Sequence, residues 1–305
     1  MSKKSKKKKN TGPPQALIRL SQCMIVKNEE KNIERALRWA KRVACEQIVV
    51  DTGSTDRTIE IAERMGAKVF NFQWIDDFSA AKNYAIEQAS GNWIAFLDAD
   101  EYFSETDAKK LIIFLKRIQN DPQMRANYHA LNCALVNLDS EGNIASRIDQ
   151  ERIFRNLPTL RYKGRIHEQL DVKPDNIVIV DEIEIVHTGY TEEAFAGTDK
   201  IERNIRILRD DLAKFPNDIN IKAYLADSLK KSTDEKERDE AETLFKEVIA
   251  NREQALPDLV KKAYVHLLNK ANQANDKQKC KEICEQALAT FPGDPDIESF
   301  YRGIV

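Results

Sequence analysis

The chain has 305 residues, 42% of them apolar, enough for one large α/β domain and a smaller second one. Its formal charge of −2 conceals an asymmetry: six lysines lie between Lys3 and Lys9, so the remainder carries −8. An acidic folded part argues against a duplex-binding surface, and with it a nucleic-acid partner.

Like charge this dense does not fold by itself, so residues 1–15 read as a disordered basic tail. It is either a solubilising arm or a peripheral contact with anionic lipid. No apolar segment follows the lysines as a signal peptide requires. The longest apolar runs, such as Leu111 to Leu115, fall far short of the roughly 20 residues that span a bilayer. The five cysteines (Cys23, Cys45, Cys133, Cys280, Cys284) are scattered and odd in number, which suits a reducing compartment and a cytoplasmic protein.

Folding is predicted to begin at Ala16, after the Thr11-Gly12-Pro13-Pro14 punctuation. Leu17 to Val26 reads as a first strand. Ile33, Leu37, Ala40 and Ala44 follow at helical spacing. Gln47 to Val50 is a second strand ending in Asp51-Thr52-Gly53-Ser54-Thr55-Asp56. A helix from Asp56 to Met65 stops at Gly66, and Lys68 to Phe72 is a third strand. Asp77 to Ser90 reads as helix, and Asn92 to Leu97 as a fourth strand entering Asp98-Ala99-Asp100-Glu101. Strands alternating with helices of these lengths imply βαβ units and a mostly parallel sheet.

The rhythm then changes. Tyr128 to Leu138 and Ile144 to Phe154 flank Asp139-Ser140-Glu141-Gly142-Asn143, the signature of an antiparallel hairpin. Leu160 to Leu170 and Ile177 to Val186 look like further strands. From residue 199 the chain is helical and charged. Phe215-Pro216-Asn217-Asp218 recurs as Phe291-Pro292-Gly293-Asp294, and Ile221 and Tyr224 are echoed by Ile297 and Phe300. The 76-residue offset accommodates two repeats of about 38 residues, near the length of a tetratricopeptide unit. Three parts follow: a tail over 1–15, an α/β domain over 16–198, and helical repeats over 199–305. The last helix reads as the opening of another unit, as in a piece of a longer protein.

In an open α/β sheet, ligands bind beyond the carboxyl ends of the strands. Three features meet there: Lys27-Asn28-Glu29-Glu30, Asp51 to Asp56, and Asp98 to Glu101. A lone Asp-x-Asp is weak, because Asp serves caps and turns. Three acidic loops at one sheet edge are harder to dismiss. Cleaving a sugar–phosphate bond leaves a highly charged diphosphate, which Mg²⁺ or Mn²⁺ can bridge. Such ions take carboxylate and phosphate oxygens. In an extended segment, side chains two apart face the same way, so Asp98 and Asp100 are expected to point together.

Four blocks stand in one order: Cys23-Met24-Ile25-Val26-Lys27-Asn28-Glu29-Glu30, Val49 to Thr58, Asp77-Phe78-Ser79-Ala80-Ala81-Lys82-Asn83, and Leu97-Asp98-Ala99-Asp100-Glu101. Together they resemble the family 2 glycosyltransferases of GT-A fold, in the bacterial branch with tetratricopeptide repeats behind the catalytic domain. Arg152-Ile153-Phe154-Arg155-Asn156, Gly164 to Gln169 and Ile185 to Tyr190 extend the likeness. The resemblance implies a nucleotide-sugar donor, UDP favoured, and a Mn²⁺ or Mg²⁺ cofactor. It puts Asp51 on the nucleoside with Glu29 nearby. The flanking Lys27, Asn28, Gly53, Ser54 and Ala99 line the donor. Asp98 faces ribose and metal, and Asp100 binds the metal. Lys82 stands where relatives often carry Arg and suits the diphosphate, though without the bidentate fork.

The family generally inverts the anomeric centre by direct displacement, which requires a base. Glu168 is the candidate, with His167 the alternate; the competing reading of Glu168 is a buried ion pair with Arg165. His187 is either a third metal ligand or a histidine satisfied on a strand. Arg152 and Arg155 are phosphate contacts or partners of acids. Cys280 and Cys284, four apart on a helix, read as packing rather than zinc, which needs about four ligands. The acceptor, a protein, glycan or lipid, is expected to dock on the repeats, since solenoids present concave surfaces. The rival readings are a nucleotidyltransferase, which lacks its glycine-rich loop here, and a peptide-binding scaffold with an inactive transferase domain.

Overall fold

The computed structural model describes residues 17–189 and 200–304. The lysine tail, Tyr190 of the last motif and the expected boundary at 198 and 199 lie outside the described residues. Two compact units divide the chain, residues 1–196 and 197–305.

In the first unit the strands are β1 (Leu20–Val26), β2 (Glu46–Asp51), β3 (Lys68–Asn71), β4 (Trp93–Phe96), β5 (Glu101–Phe103), β6 (Ala130–Leu138), β7 (Ile144–Arg155), β8 (Tyr162–Lys163), β9 (Gln169–Leu170) and β10 (Ile177–His187). Eight of them form one sheet in the order β3-β2-β1-β4-β7-β6-β10-β5. The first four in that order are parallel, as the βαβ rhythm predicts. Beyond them β7 runs antiparallel to both β4 and β6, β10 runs parallel to β6, and β5 closes the edge antiparallel to β10.

Strand β4 shows why this order holds. It is apolar without alternation because both faces are covered. Trp93, Ala95 and Leu97 pack on one side with Leu111 and Leu115, while Ile94 and Phe96 pack on the other with Phe154 and Tyr162. Fully burying each of its large side chains contributes roughly 2–3 kcal/mol, so the strand is a rigid base for the Asp98 loop.

The helices of this unit are α1 (Ile33–Arg38), α2 (Thr58–Arg64), α3 (Phe78–Glu87), α4 (Glu105–Asn120) and α5 (Pro122–Asn127). The expected first helix is short: it tightens into a 3₁₀ turn over Trp39–Arg42, although the apolar spacing runs on through buried Ala40. Helix α3 starts where Asp77 accepts a hydrogen bond from the Ala80 amide at 2.8 Å. Helices α4 and α5 are additions to the sequence reading. Ala108, Leu111, Leu115 and Ile118 form the buried stripe of α4, and Ser104 caps it. Leu160 to Leu170, expected as one strand, is instead the two-residue pair β8–β9. Gly164 at φ +93° and His167 at φ +54° reverse the chain there.

The second unit contains α6 (Lys200–Lys214), α7 (Ile219–Leu229), α8 (Glu235–Ala250), α9 (Pro257–Gln273), α10 (Lys277–Thr290) and α11 (Pro295–Ile304). Helices α7, α9 and α11 begin at residues 219, 257 and 295, equal steps of 38. The repeated tetrapeptide is a repeated cap. The Asp218 carboxylate accepts from the Asn220 and Ile221 amides, and Asp294 accepts from the matching Asp296 and Ile297 amides. Cys280 and Cys284 are buried in the packing of α10.

Candidate active site

The loops after β1 and β2 are laced together at the carboxyl edge of the sheet. The Asn28 amide donates to Ser54 Oγ at 2.9 Å, and Asn28 Oδ1 accepts from the Thr55 amide at 2.8 Å. The Glu29 amide donates to Thr58 Oγ1 at 2.7 Å, and the Glu30 amide to Asp56 at 3.1 Å. Asn28 adopts φ +58°, which Asn tolerates better than most residues. Asp51 is buried at the end of β2, where its carboxylate accepts from the Gly53 and Ser54 amides at 2.9 and 3.0 Å. Lys27 is exposed on the rim. Ala99 sits under the site, in the apolar cluster with Met24, Val26 and Ile33.

Asp98 to Glu101 is not extended, as the two-residue periodicity assumed. It is a turn closed by the Glu101 amide donating to the Asp98 carbonyl at 3.0 Å. The two aspartates therefore take different partners. Asp98 Oδ2 accepts from Arg152 at 2.9 Å, and Asp98 Oδ1 lies 3.9 Å from Lys82 Nζ. Arg152, on β7, also donates to Glu101 Oε1 at 2.5 Å, and Glu101 Oε2 accepts the Asp98 amide at 3.0 Å. Glu101 is 1% exposed. This buried clamp of Arg152 and Glu101 fixes the backbone and carboxylate of Asp98 together.

Lys82 projects from α3 into the same cluster and is 3% exposed. Its ammonium lies 2.6 Å from Glu168 Oε1 and about 5 Å from the faces of Phe96 and Tyr162. Glu168 is thus in a buried ion pair, but its partner is Lys82. Arg165, the partner the sequence suggested, donates from Nε to the Asp76 carbonyl at 3.1 Å. His167 is exposed in the same turn. Burial disfavours the Lys82 charge, yet Asp98 and Glu168 outweigh it and raise the pKa. Burial likewise opposes the Asp98 carboxylate, and the charges of Lys82 and Arg152 overcome it, lowering its pKa to about 2. Tyr162 is pushed up to about 12, chiefly by burial.

Asp100 takes a different partner from Asp98. Its Oδ2 lies 3.3 Å from His187 Nε2 at the end of β10, and His187 Nδ1 lies 2.6 Å from Asn137 Oδ1 on β6. Burial opposes a charge on His187, but the Asp100 carboxylate beside it raises the pKa. The space around this pair requires Gly189: a Cβ there would sit 1.8 Å from Asp100 Oδ2 and 3.0 Å from His187 Nε2. A carboxylate oxygen and an imidazole nitrogen 3.3 Å apart fit neighbouring ligands of a divalent cation. Among the described residues no group of three or more His, Cys, Asp or Glu side chains is disposed to hold an ion. Any ion there would draw its remaining ligands from a bound molecule.

Residues 21–124 match the family model described as Glycosyl transferase family 2. These residues form a family 2 glycosyltransferase domain. The chain is 34% identical over 226 residues to a TPR repeat-containing protein of Synechococcus elongatus, covering 70% of this chain and 52% of the relative. It is 28% identical over 201 residues to the SPbeta prophage-derived glycosyltransferase SunS of Bacillus subtilis, covering 63% of this chain and 45% of the relative. The chain spans about half the length of these relatives. Among solved structures it is similar to S. aureus TarS 1–349 in complex with UDP-GlcNAc, with 16% identity, a TM-score of 0.48, and coverage of 94% of this chain and 92% of that one.

The first unit brings Lys82, Asp98 and Glu168 together, and Asp100 with His187. Arg155 stays outside this group: it donates to the backbone carbonyls of Tyr128 and Arg125 and stacks on Trp93. Sequence reasoning passed over Glu101 as a clamp and Asn137 altogether, and met Gly189 only as part of the Ile185 to Tyr190 block, without its steric role. Asn137 leaves a readable signal, an amide ending the apolar run Ala134-Leu135-Val136. Gly189 leaves none, because the atoms its Cβ would strike belong to distant parts of the chain.

Proposed function

We propose that the chain transfers a sugar from a nucleotide diphosphate donor, a UDP-sugar by family habit, to a hydroxyl or amide of a protein, glycan or lipid acceptor, with inversion. The observation that carries this reading is the joining, at one sheet edge, of a cation-lined carboxylate (Asp98 between Lys82 and Arg152) to a carboxylate–imidazole pair (Asp100 and His187). The family model supports the donor class.

In this account Asp51 and Glu29 receive the nucleoside and Lys82 meets the diphosphate. A Mn²⁺ or Mg²⁺ ion held by Asp100, His187 and the diphosphate would offset the charge that grows as the sugar–phosphate bond breaks. Asp98, bonded to Arg152 and near Lys82, shapes the pocket and faces the ribose. Glu168, paired with Lys82, takes the acceptor proton as the nucleophile attacks. The helical repeats present the acceptor or a partner that carries it.

A thermal-shift screen of nucleotides and nucleotide sugars, with and without Mn²⁺, tests the donor class. UDP and a UDP-sugar should raise the melting temperature, and more so with Mn²⁺. A screen in which no nucleoside diphosphate shifts the transition contradicts the reading.

A further inference from the structure

We propose that Asn137 is a positioning residue that fixes the tautomer of His187, so that the Nε2 lone pair is presented to a divalent cation beside Asp100; this rests on the metal reading of the site above. Ser146, Asn137 and His187 lie in one row across three neighbouring strands. Asn137 pairs with Ser146 between β6 and β7, and His187 pairs with Asn137 between β10 and β6. Residues directly opposite on adjacent strands share a face and are close enough to touch.

Asn137 is 3% exposed and follows buried Leu135 and Val136. A buried amide is costly unless its hydrogen bonds are made. Here both ends are used. Nδ2 donates to Ser146 Oγ at 2.8 Å, and Oδ1 lies 2.6 Å from His187 Nδ1. Ser146 occupies the amine end, so the carbonyl end faces the ring. An acceptor at that distance calls for a proton on Nδ1, and in the neutral ring this leaves Nε2 as the bare nitrogen.

Nε2 points at Asp100 Oδ2, 3.3 Å away. A lone pair opposite a carboxylate oxygen is unfavourable unless positive charge lies between them. The backbone of Gly189 lies close against the pair, so that a Cβ there would collide with Asp100. A metal-bound imidazole with its other nitrogen held by an outer partner is the arrangement that orients the ring and raises its basicity. The opposite tautomer would put the proton on Nε2, donated to Asp100, and the lone pair on Nδ1, so that Nε2 has nothing to offer a cation.

The test uses the full chain, labelled with ¹⁵N-histidine, in wild type and the Asn137→Asp, Asn137→Ala and Ser146→Ala variants. Imidazole ¹⁵N shifts are read without metal, at alkaline pH where the rings are neutral, with His187 assigned from a His187→Gln sample. Mn²⁺ affinity is then measured in the presence of UDP by the loss of free-ion EPR signal. Wild type and Asn137→Asp should show Nδ1–H, since a carboxylate still accepts from it. Asn137→Ala should move the ring toward Nε2–H and weaken Mn²⁺ binding roughly 10- to 100-fold. Ser146→Ala, which leaves β6 itself intact, should give a smaller change in the same direction and serves if Asn137→Ala does not fold. A wild-type ring in the Nε2–H form, or an Asn137→Ala variant with unchanged tautomer and Mn²⁺ affinity, overturns the proposal. A wild type with Nδ1–H but no Mn²⁺ binding supports the tautomer control and overturns the metal reading.

Discussion

Replacing Lys82 by methionine keeps most of the side-chain volume and removes one charge from the centre of the site. The ammonium is buried, 2.6 Å from Glu168 and 3.9 Å from Asp98, and lies over two aromatic rings. Asp98 keeps Arg152 at 2.9 Å. Glu168, whose side chain is 16% exposed, loses the ion-pair partner found here. Breaking a buried pair from one side costs about 3–5 kcal/mol, because the remaining charge stays desolvated. The low end applies, since Glu168 retains some solvent and Asp98 a second cation. A loss of about 3 kcal/mol corresponds to roughly 6–12 °C in melting temperature for a unit of this size. Donor affinity should also fall, by roughly tenfold to a hundredfold, the worth of one hydrogen bond to a charged group. Urea unfolding and UDP titration of Lys82→Met, Glu168→Gln and the double variant separate the two effects. The double variant should recover part of the stability lost by Lys82→Met, because it removes the orphaned charge, and none of the donor affinity. Lys82→Met with wild-type stability and wild-type UDP binding would refute the reasoning.

Four further outcomes follow from the same structure. Glu168→Gln should lower kcat while leaving donor binding near normal; a protein that merely unfolds points to the ion pair alone. Gly189→Ala should swing the Asp100 carboxylate aside and abolish Mn²⁺ dependence with little loss of stability, because the struck atom ends a short rotatable side chain; unchanged metal dependence counts against the Asp100–His187 pair. Glu46, opposed by burial but held by Lys68, Ser21 and Ser90, has its pKa lowered from 4.5 to about 2. Its folded value is depressed, so its contribution is present above pH 4.5 and lost as pH falls toward 2, on the order of 2 kcal/mol after allowing for the exposed Lys68; acid titration of Glu46→Gln should show a flatter decline over that window. Asp218→Ala and Asp294→Ala should each cost about 1 kcal/mol as lost caps, measured by urea unfolding.

The parallel half of the sheet is legible in the sequence because each of its strands is a short apolar run set between helices and loops. The repeat period is legible because Asp218 and Asp294 do the same capping work 76 residues apart. The β8–β9 turn is not: a positive φ at His167 does not follow from its residue type, and a polar stretch of this length reads equally as strand. Local periodicity misled at Asp98 and Asp100, where the Glu101 amide bonds back to the Asp98 carbonyl and ends the extended geometry. The pairing of Lys82 with Glu168 crosses 86 residues of chain, and no spacing rule reaches that far. Charge type was readable there, while partner choice was decided by the docking of α3 on the β8–β9 turn, where Ser79 and Asn83 donate to the Gly164 and Tyr162 carbonyls.

The most direct measurement is calorimetric titration of UDP into the protein with and without Mn²⁺, in wild type and Asp100→Asn. Binding that strengthens at least tenfold with Mn²⁺ in wild type, and loses that gain in Asp100→Asn while the melting temperature holds, is the expected result. Equal UDP affinity with and without Mn²⁺ in the wild type contradicts it.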